Sequence, residues 1–204
     1  MFWIDASHTA HTRAQSGIQR VTRQLVADAR RRGSGKPLVF DRFARAWREP
    51  DAAEERNLAV DRSREPRRKR SPRWSARQKV RGFLNRVCGR RPRLDAGPRG
   101  ILLPEIFPAG TFAALDTLPG GAGTRVAVFH DAIAMTHPET APEGVRTRFP
   151  AYLRELAALD GVAAISDYSR SELLRLWTEA GIPETPPVRT IPLGVDPLPD
   201  CFPP

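Results

Sequence analysis

Short apolar runs alternate with segments of helical periodicity along most of this 204-residue chain. Apolar runs without polar alternation are typical of strands that are buried on both faces of a sheet. They predict strands within residues 2–5, 37–43, 100–107, 124–130, 161–165 and 188–193. Because helical segments separate most of these strands, the sheet should be mostly parallel and covered on both faces. The predicted fold class is therefore α/β, a Rossmann-like three-layer sandwich.

Helical periodicity predicts four helices, over residues 17–32, 74–88, 146–159 and 169–180. In the first, Ile18, Val21 and Leu25 share one face, and the polar residues Arg20 and Arg23 fall elsewhere. Ser166 is placed to cap the last helix. The polar segment 45–61 shows neither period and receives no assignment.

The net charge of +10 is concentrated in one segment. Residues 62–93 hold fourteen Lys or Arg and one acid, Glu65, so the remaining 172 residues carry a net charge of −3. We interpret this segment as a basic insertion in a single domain. An argument about anionic partners should therefore be confined to it.

Within that insertion, the predicted helix 74–88 combines apolar and basic residues in a pattern that permits three interpretations. It could lie in an anionic membrane interface, bind nucleic acid, or bury its apolar face in the core with solvated arginines. Nucleic acid is disfavoured because no recognised motif accompanies the charge. On the membrane interpretation, the contacting residues are Trp74, Arg77, Lys79, Arg81, Phe83 and Arg86.

Cysteine content and apolar run length bear on the compartment. Cys88 and Cys201 are far apart and show no metal-binding spacing. The N-terminus has no basic leader, and no apolar run approaches the roughly 18 residues of a spanning helix. We expect a cytoplasmic protein, with a peripheral position at the inner face of the plasma membrane if the basic helix binds lipid.

Candidate ligand contacts lie at the carboxyl ends of the predicted strands, where open α/β sheets bind ligands. Gly17 begins the first helix, and its missing side chain would let a phosphate or sugar approach free backbone N–H groups. Gly17 could equally serve only to ease a loop into a helix. Glu105, His130 with Asp131, and Ser166 follow three further strands.

His130 could hydrogen-bond substrate hydroxyls or transfer a proton, or its ring could simply be satisfied by neighbouring backbone. His8 and His11 could be combined with His130 as zinc ligands, but no fourth ligand is evident. We therefore predict no metal. No serine stands in a G-x-S-x-G elbow, which argues against a hydrolase triad.

An ordered set of motifs resembles the N-terminal half of family 4 glycosyltransferases, which have the GT-B fold. The motifs are GIQRV at 17–21, LPEIF at 103–107, VFHD at 128–131 with HPE at 137–139, ISDYSRSEL at 165–173 and IPLGVD at 191–196. The resemblance covers residues 1–196 except roughly 45–98. Residues 197–204 would then begin an interdomain linker.

The resemblance implies a retaining, metal-independent transfer that uses a nucleotide sugar as co-substrate and no cofactor. The acceptor, a glycan or a lipid-linked molecule, would be held by this domain, and a C-terminal domain would hold the donor. Gly17 matches the glycine beside the donor phosphates, and His130 the histidine near the transferred sugar. Ser166 and Arg170 match a motif that borders the cleft.

The donor domain, with paired glutamates spaced E-x7-E, should follow Asp196. We expect it to be encoded elsewhere, as in a split or truncated gene. Glu172 and Glu179 are seven residues apart rather than eight and precede that position. The alternative function is a non-catalytic basic module that binds anionic membranes or nucleic acid.

Overall fold

The computed structural model describes residues 1–59, 73–90, 92–94, 97–107, 110–119 and 123–194. The predicted linker 197–204 and part of the basic insertion, residues 62–72, lie outside the described residues. The predicted α/β class and Rossmann-like three-layer arrangement are confirmed by a seven-stranded, mostly parallel sheet.

The sheet has the order β3-β2-β1-β4-β5-β6-β7. Its strands are β1 Phe2–Asp5, β2 Gly35–Asp41, β3 Ala46–Arg48, β4 Gly100–Leu103, β5 Thr124–Phe129, β6 Gly161–Ala164 and β7 Val188–Thr190. Every neighbouring pair is parallel except β2 and β3. The chain places β2 on one side of β1 and later β4 on the other. The strand order therefore reverses between β1 and β4, which makes this point the topological switch of the sheet.

Six α-helices lie in the described part of the chain. They are α1 Gly17–Arg31, α2 Ala52–Leu58, α3 Ala76–Val87, α4 Ile133–Thr136, α5 Glu143–Ala157 and α6 Asp167–Glu179. Short 3₁₀ turns span Thr9–His11, Phe112–Thr117 and Pro138–Thr140. Within the described ranges, no helix has both the length and the apolar content that crossing a bilayer requires.

Two hydrophobic clusters cover the two faces of the sheet. Because successive strand residues point to opposite faces, Trp3 joins the larger cluster and Ile4 the smaller one. Helices α5 and α6 contribute to the larger cluster through Phe149, Tyr152, Leu156, Leu173 and Trp177. Helices α1 and α2 contribute Val26, Ala29 and Leu58 to the smaller one. The three layers are thus helices, sheet and helices.

Several element boundaries differ from those predicted. The second strand is Gly35–Asp41 rather than 37–43, and the last ends at Thr190 rather than 193. The unassigned segment 45–61 contains β3 and α2. Both depend on Arg48, whose buried guanidinium contacts the carboxylates of Asp41 and Glu54. A pattern of hydrophobic residues does not reveal an element whose buried side chains form ion pairs.

Arg23 also differs from its expected place on the polar side of the first helix. Its side chain is 2% exposed. The guanidinium donates to the carbonyl oxygens of Thr12, Ala14 and Asn57 at 3.2, 2.9 and 2.8 Å. Arg23 therefore fastens the loop after β1 to α1, and its guanidinium is satisfied by these carbonyl oxygens together with the Gln15 side chain, at 3.0 Å.

Candidate functional site

Three of the predicted ligand contacts, Glu105, His130 and Ser166, lie along one edge of the sheet together with Asp5. Asp5 ends β1, Glu105 follows β4, His130 follows β5 and Ser166 follows β6. These four strands are consecutive neighbours in the sheet. Since parallel strands end at the same edge, the four segments form a continuous rim that begins at the topological switch.

Glu105 lies at that switch and holds the loop that follows β1. Its side-chain oxygens accept hydrogen bonds from the backbone N–H groups of His8, at 2.9 Å, and Thr9, at 3.1 Å. The Thr9 hydroxyl donates to the same carboxyl group. With only 2% of its surface exposed, Glu105 shapes the loop and does not present a free carboxylate to solvent.

Asp5 is a second buried carboxyl beside Glu105. It accepts hydrogen bonds from the Ser7 backbone N–H at 2.9 Å and the Ser7 hydroxyl at 2.5 Å. Burial raises the pKa of Asp5 to about 6. Burial, and then the adjacent negative charge of Asp5, raise the pKa of Glu105 to about 8. The switch point therefore holds two protonatable carboxyls near neutral pH.

The N-terminus of α1 meets the same loop. The Gln19 side-chain nitrogen Nε2 lies 3.1 Å from His8 Nδ1, and the side-chain oxygen Oε1 of Gln19 accepts from the Ser16 N–H at 3.0 Å. Burial, followed by the charge of His11, lowers the pKa of His8. A Cβ added at Gly17 would meet no atom within 4 Å. The space beside the first turn is thus open to a ligand.

His130 is buried at the end of β5, and its Nε2 lies 2.8 Å from the Pro104 carbonyl oxygen. A carbonyl oxygen only accepts, so Nε2 must carry the proton. In the neutral ring, Nδ1 then carries no proton and can accept a hydrogen bond from a substrate hydroxyl. The bond to Pro104, which precedes Glu105, joins His130 to the switch point.

The remaining predicted contacts are more exposed. Asp131 is exposed and accepts from the Ile133 N–H at 3.1 Å. Ser166 caps α6 as predicted, accepting from the Ser169 N–H at 3.1 Å. Arg170 lies one turn into α6, where its Nε donates to the Val188 carbonyl oxygen at 3.2 Å. Arg170 therefore faces the β7 side of the rim.

A chain of polar contacts runs from α3 to Asp5. The Gln78 amide donates to Glu54 Oε1 at 2.9 Å, and the same oxygen lies 2.8 Å from His11 Nε2. His11 Nδ1 lies 2.6 Å from the Ser7 carbonyl oxygen, and Ser7 in turn binds Asp5. Sequence reasoning named His8, His11 and Gly17 in this loop but missed Ser7 and Thr9, because no pattern signals a loop that side chains hold.

The basic helix α3 is docked by its polar side. Gln78 and Gly82 are buried, whereas Val80, Phe83, Leu84 and Val87 are 53 to 66% exposed. A Cβ at Gly82 would lie 2.7 Å from both Asp41 Oδ1 and Phe43 Cβ, so only glycine permits this approach. The interpretation in which the apolar face of this helix joins the core is therefore wrong.

Trp74 differs from its predicted place on the exposed face. Its indole is half-buried, 4.5 Å from the His11 ring and 6.2 Å from the Phe43 ring, and the Arg42 guanidinium lies 5.3 Å from it. This aromatic and cationic contact draws Trp74 into the protein. The other predicted membrane contacts are exposed: Arg77, Lys79, Arg81, Phe83 and Arg86.

A cleft of about 490 Å³ opens between α2 and the first half of α3, and Ala10 and His11 from the loop after β1 also line it. Its lining includes Arg56, Arg73, Arg77 and Arg81. Its acids, Asp51 and Glu54, already contact Gln78. We regard the rim as the candidate site for chemistry, because it unites the buried carboxyls, His130 and the open helix terminus. The cleft instead offers a basic surface.

Metal-ligating residues do not converge in the described part of the chain, where no group of three or more His, Cys, Asp or Glu side chains could hold an ion. In comparisons with known proteins, the chain matched no family model, no curated protein and no solved structure.

Proposed function

We propose that this chain forms the acceptor-side domain of a retaining glycosyltransferase of the GT-B type. A donor-binding domain would supply the nucleotide sugar, and the acceptor would be a glycan or a lipid-linked molecule. One observation carries the proposal. Four of the five motif regions that resemble family 4 glycosyltransferases fall at α1 and at the neighbouring ends of β4, β5 and β6.

The geometry of the rim supports a proposed role for each of these residues. Gly17 leaves room for an anionic group at the N-terminus of α1, where the positive end of the helix dipole favours negative charge. His130 would present Nδ1 to an acceptor hydroxyl. Glu105 acts as a positioning residue through His8 and Thr9, while Asp131, Ser166 and Arg170 border the opening.

The reaction joins the acceptor oxygen to the anomeric carbon of the donor sugar. The bond from that carbon to the nucleoside diphosphate breaks, the diphosphate leaves with the electron pair, and the hydroxyl proton passes to it. Charge develops on the departing phosphate, so the donor domain must provide much of the stabilisation. The proposal needs no metal or cofactor, and it includes a cytoplasmic location at the inner face of the plasma membrane.

The test combines this chain with the polypeptide encoded directly downstream. Radiolabelled UDP- and GDP-hexoses are offered with a membrane lipid extract and with a glycan panel. We expect transfer with retained anomeric configuration, and a downstream segment that contains E-x7-E. Absence of transfer from every donor would contradict the proposal.

Variants of His130 refine this test. His130→Gln keeps a donor for the Pro104 carbonyl, so it should preserve folding while transfer falls at least about ten-fold. His137→Ala serves as the matched control, because the His137 side chain is 65% exposed and lies at the surface, 3.5 Å from the equally exposed Glu139. Equal turnover in His130→Gln and His137→Ala would remove His130 from the site.

A non-catalytic role as a basic binding module is the second candidate. The exposed apolar side of α3 among basic residues favours it. Binding to anionic vesicles with no transfer in any combination of donor and acceptor would select this candidate over the enzyme.

A further inference from the structure

Helix α3 is an amphipathic helix whose apolar side is turned away from the protein. With about 100° of rotation per residue, Val80, Phe83, Leu84 and Val87 form one stripe opposite Gln78 and Gly82. The stripe is more than half exposed at every position. An apolar stripe of this kind on the surface marks an interaction site.

Basic side chains flank the stripe on both sides. The same helical geometry puts Lys79 and Arg86 along one edge, and Arg77 and Arg81 along the other. Residues 73–90 contain six Lys or Arg and no acid. The basic cleft of Arg56, Arg73, Arg77 and Arg81 opens beside the N-terminal half of the helix.

We propose that α3 docks this protein on an anionic membrane surface, with the stripe in the interfacial region and the flanking cations on lipid headgroups. Long basic side chains can reach the headgroups while apolar side chains enter the acyl boundary. The inference stands on α3 alone and does not rest on the proposed sugar transfer.

Two other possible binding partners of the exposed α3 surface match its charges less well than an anionic membrane does. A second copy of the chain would bring two basic flanks together, and like charges oppose that contact. A nucleic acid would meet the apolar stripe with its phosphates, and it gains nothing from Val80, Leu84 or Val87. An anionic bilayer satisfies both the apolar stripe and its charged edges.

The docked side of α3 holds the helix in position before any membrane is met. Ser75 caps the helix by accepting from the Gln78 N–H at 3.2 Å, and the Gln78 amide contacts Asp51 and Glu54. Gly82 allows close contact with Asp41 and Phe43. The stripe is thus displayed by a fixed helix, which lowers the ordering cost of binding.

Vesicle flotation of the full chain tests the proposal. The vesicles are phosphatidylcholine alone or with about 30% phosphatidylglycerol. We expect binding to the anionic vesicles only, weakened by about 0.5 M salt. Phe83→Ser with Val87→Ser, and separately Lys79→Gln with Arg86→Gln, should each lower the partition coefficient at least about ten-fold.

Tyr168→Ser is the matched control, because Tyr168 is 73% exposed on α6 and not on the stripe. All variants should keep the wild-type circular dichroism and unfolding midpoint, since the substituted side chains are exposed. Equal vesicle binding by wild type and Phe83→Ser/Val87→Ser would overturn the proposal. So would a lipid-free dimer that this double variant dissociates, or tighter binding to a short DNA duplex than to anionic vesicles.

Discussion

The buried carboxyl group of Glu105 holds Thr9, 96 residues earlier in the chain, through both the backbone N–H and the hydroxyl of that threonine. The two residues follow β4 and β1, the strands between which the sheet order reverses. The loop that would face a ligand is therefore shaped by a side chain from the neighbouring strand end. This contact gives the rim a defined form without a bound molecule.

Glu105→Ala should destabilise the protein by about 2 kcal/mol or more, because it leaves the buried N–H groups of the His8–Thr9 loop without acceptors. Chemical denaturation measures the change. Glu55→Ala is the matched control, since the Glu55 carboxylate pairs with Arg30 at the surface and should contribute less than about 1 kcal/mol. Equal losses in the two variants would contradict the assigned role.

Stability should depend on pH through the same carboxyl. Because the pKa of Glu105 rises from 4.5 to about 8 on folding, the folded protein keeps a proton that the unfolded chain releases. The free energy of unfolding therefore falls as pH rises through this window. Glu105→Gln cannot titrate, so wild type should lose stability relative to this variant between pH 5 and pH 8. If the urea midpoints of the two proteins changed equally with pH, the raised pKa of Glu105 would be refuted.

Glu54 should show the opposite dependence. Burial alone would raise the pKa of Glu54. Hydrogen bonds from Arg48, His11 and the Asp51 N–H outweigh burial and lower this pKa to about 2. The contribution of Glu54 to the free energy of unfolding is therefore complete above pH 4.5, its ordinary pKa, and is lost as pH falls toward 2. Glu54→Ala should cost about 3 to 5 kcal/mol at neutral pH, because the buried Arg48 keeps only Asp41 of its two carboxylate partners. A thermal melt that shows a smaller loss than Glu55→Ala would disprove this.

Gly82→Ala should detach or shift α3, although alanine favours helices. The added methyl would lie 2.7 Å from Asp41 Oδ1 and Phe43 Cβ, and we expect a loss of about 1 to 3 kcal/mol. Gly144→Ala is the control, because a Cβ there meets nothing within 4 Å and should stabilise α5 slightly. A neutral Gly82→Ala, measured by denaturation, would mean that α3 is not packed as described.

The strands could be predicted because buried strands consist largely of consecutive apolar residues, as in residues 2–5 and 124–130. The elements β3 and α2 were missed because Arg48 is buried by ion pairs. One local signal could have found α2, since Asp51 and Glu54 form a capping box at its start. The amphipathic character of α3 was predictable, but the side that docks depends on Gly82 and Gln78, whose partners lie far away in the sequence.

The candidate site was predictable in position and not in detail. The strand-end rule selected Glu105 and His130 from their place after apolar runs. It could not show that Glu105 binds backbone N–H groups of the β1 loop, or that Pro104 fixes the proton on His130 Nε2. Those contacts join segments that only the folded sheet brings together.

The proposed glycosyl transfer requires that the open space beside Gly17 receive an anionic or sugar ligand. The most direct measurement compares transfer from UDP- and GDP-hexoses by wild type, Gly17→Ala and the control Gly144→Ala, each combined with the donor-binding domain. Because nothing lies within 4 Å of a Cβ at residue 17, Gly17→Ala should fold as wild type does. We predict that its transfer rate falls at least about ten-fold while Gly144→Ala retains the wild-type rate. Undiminished transfer by Gly17→Ala, or no transfer by the wild type, would contradict the account.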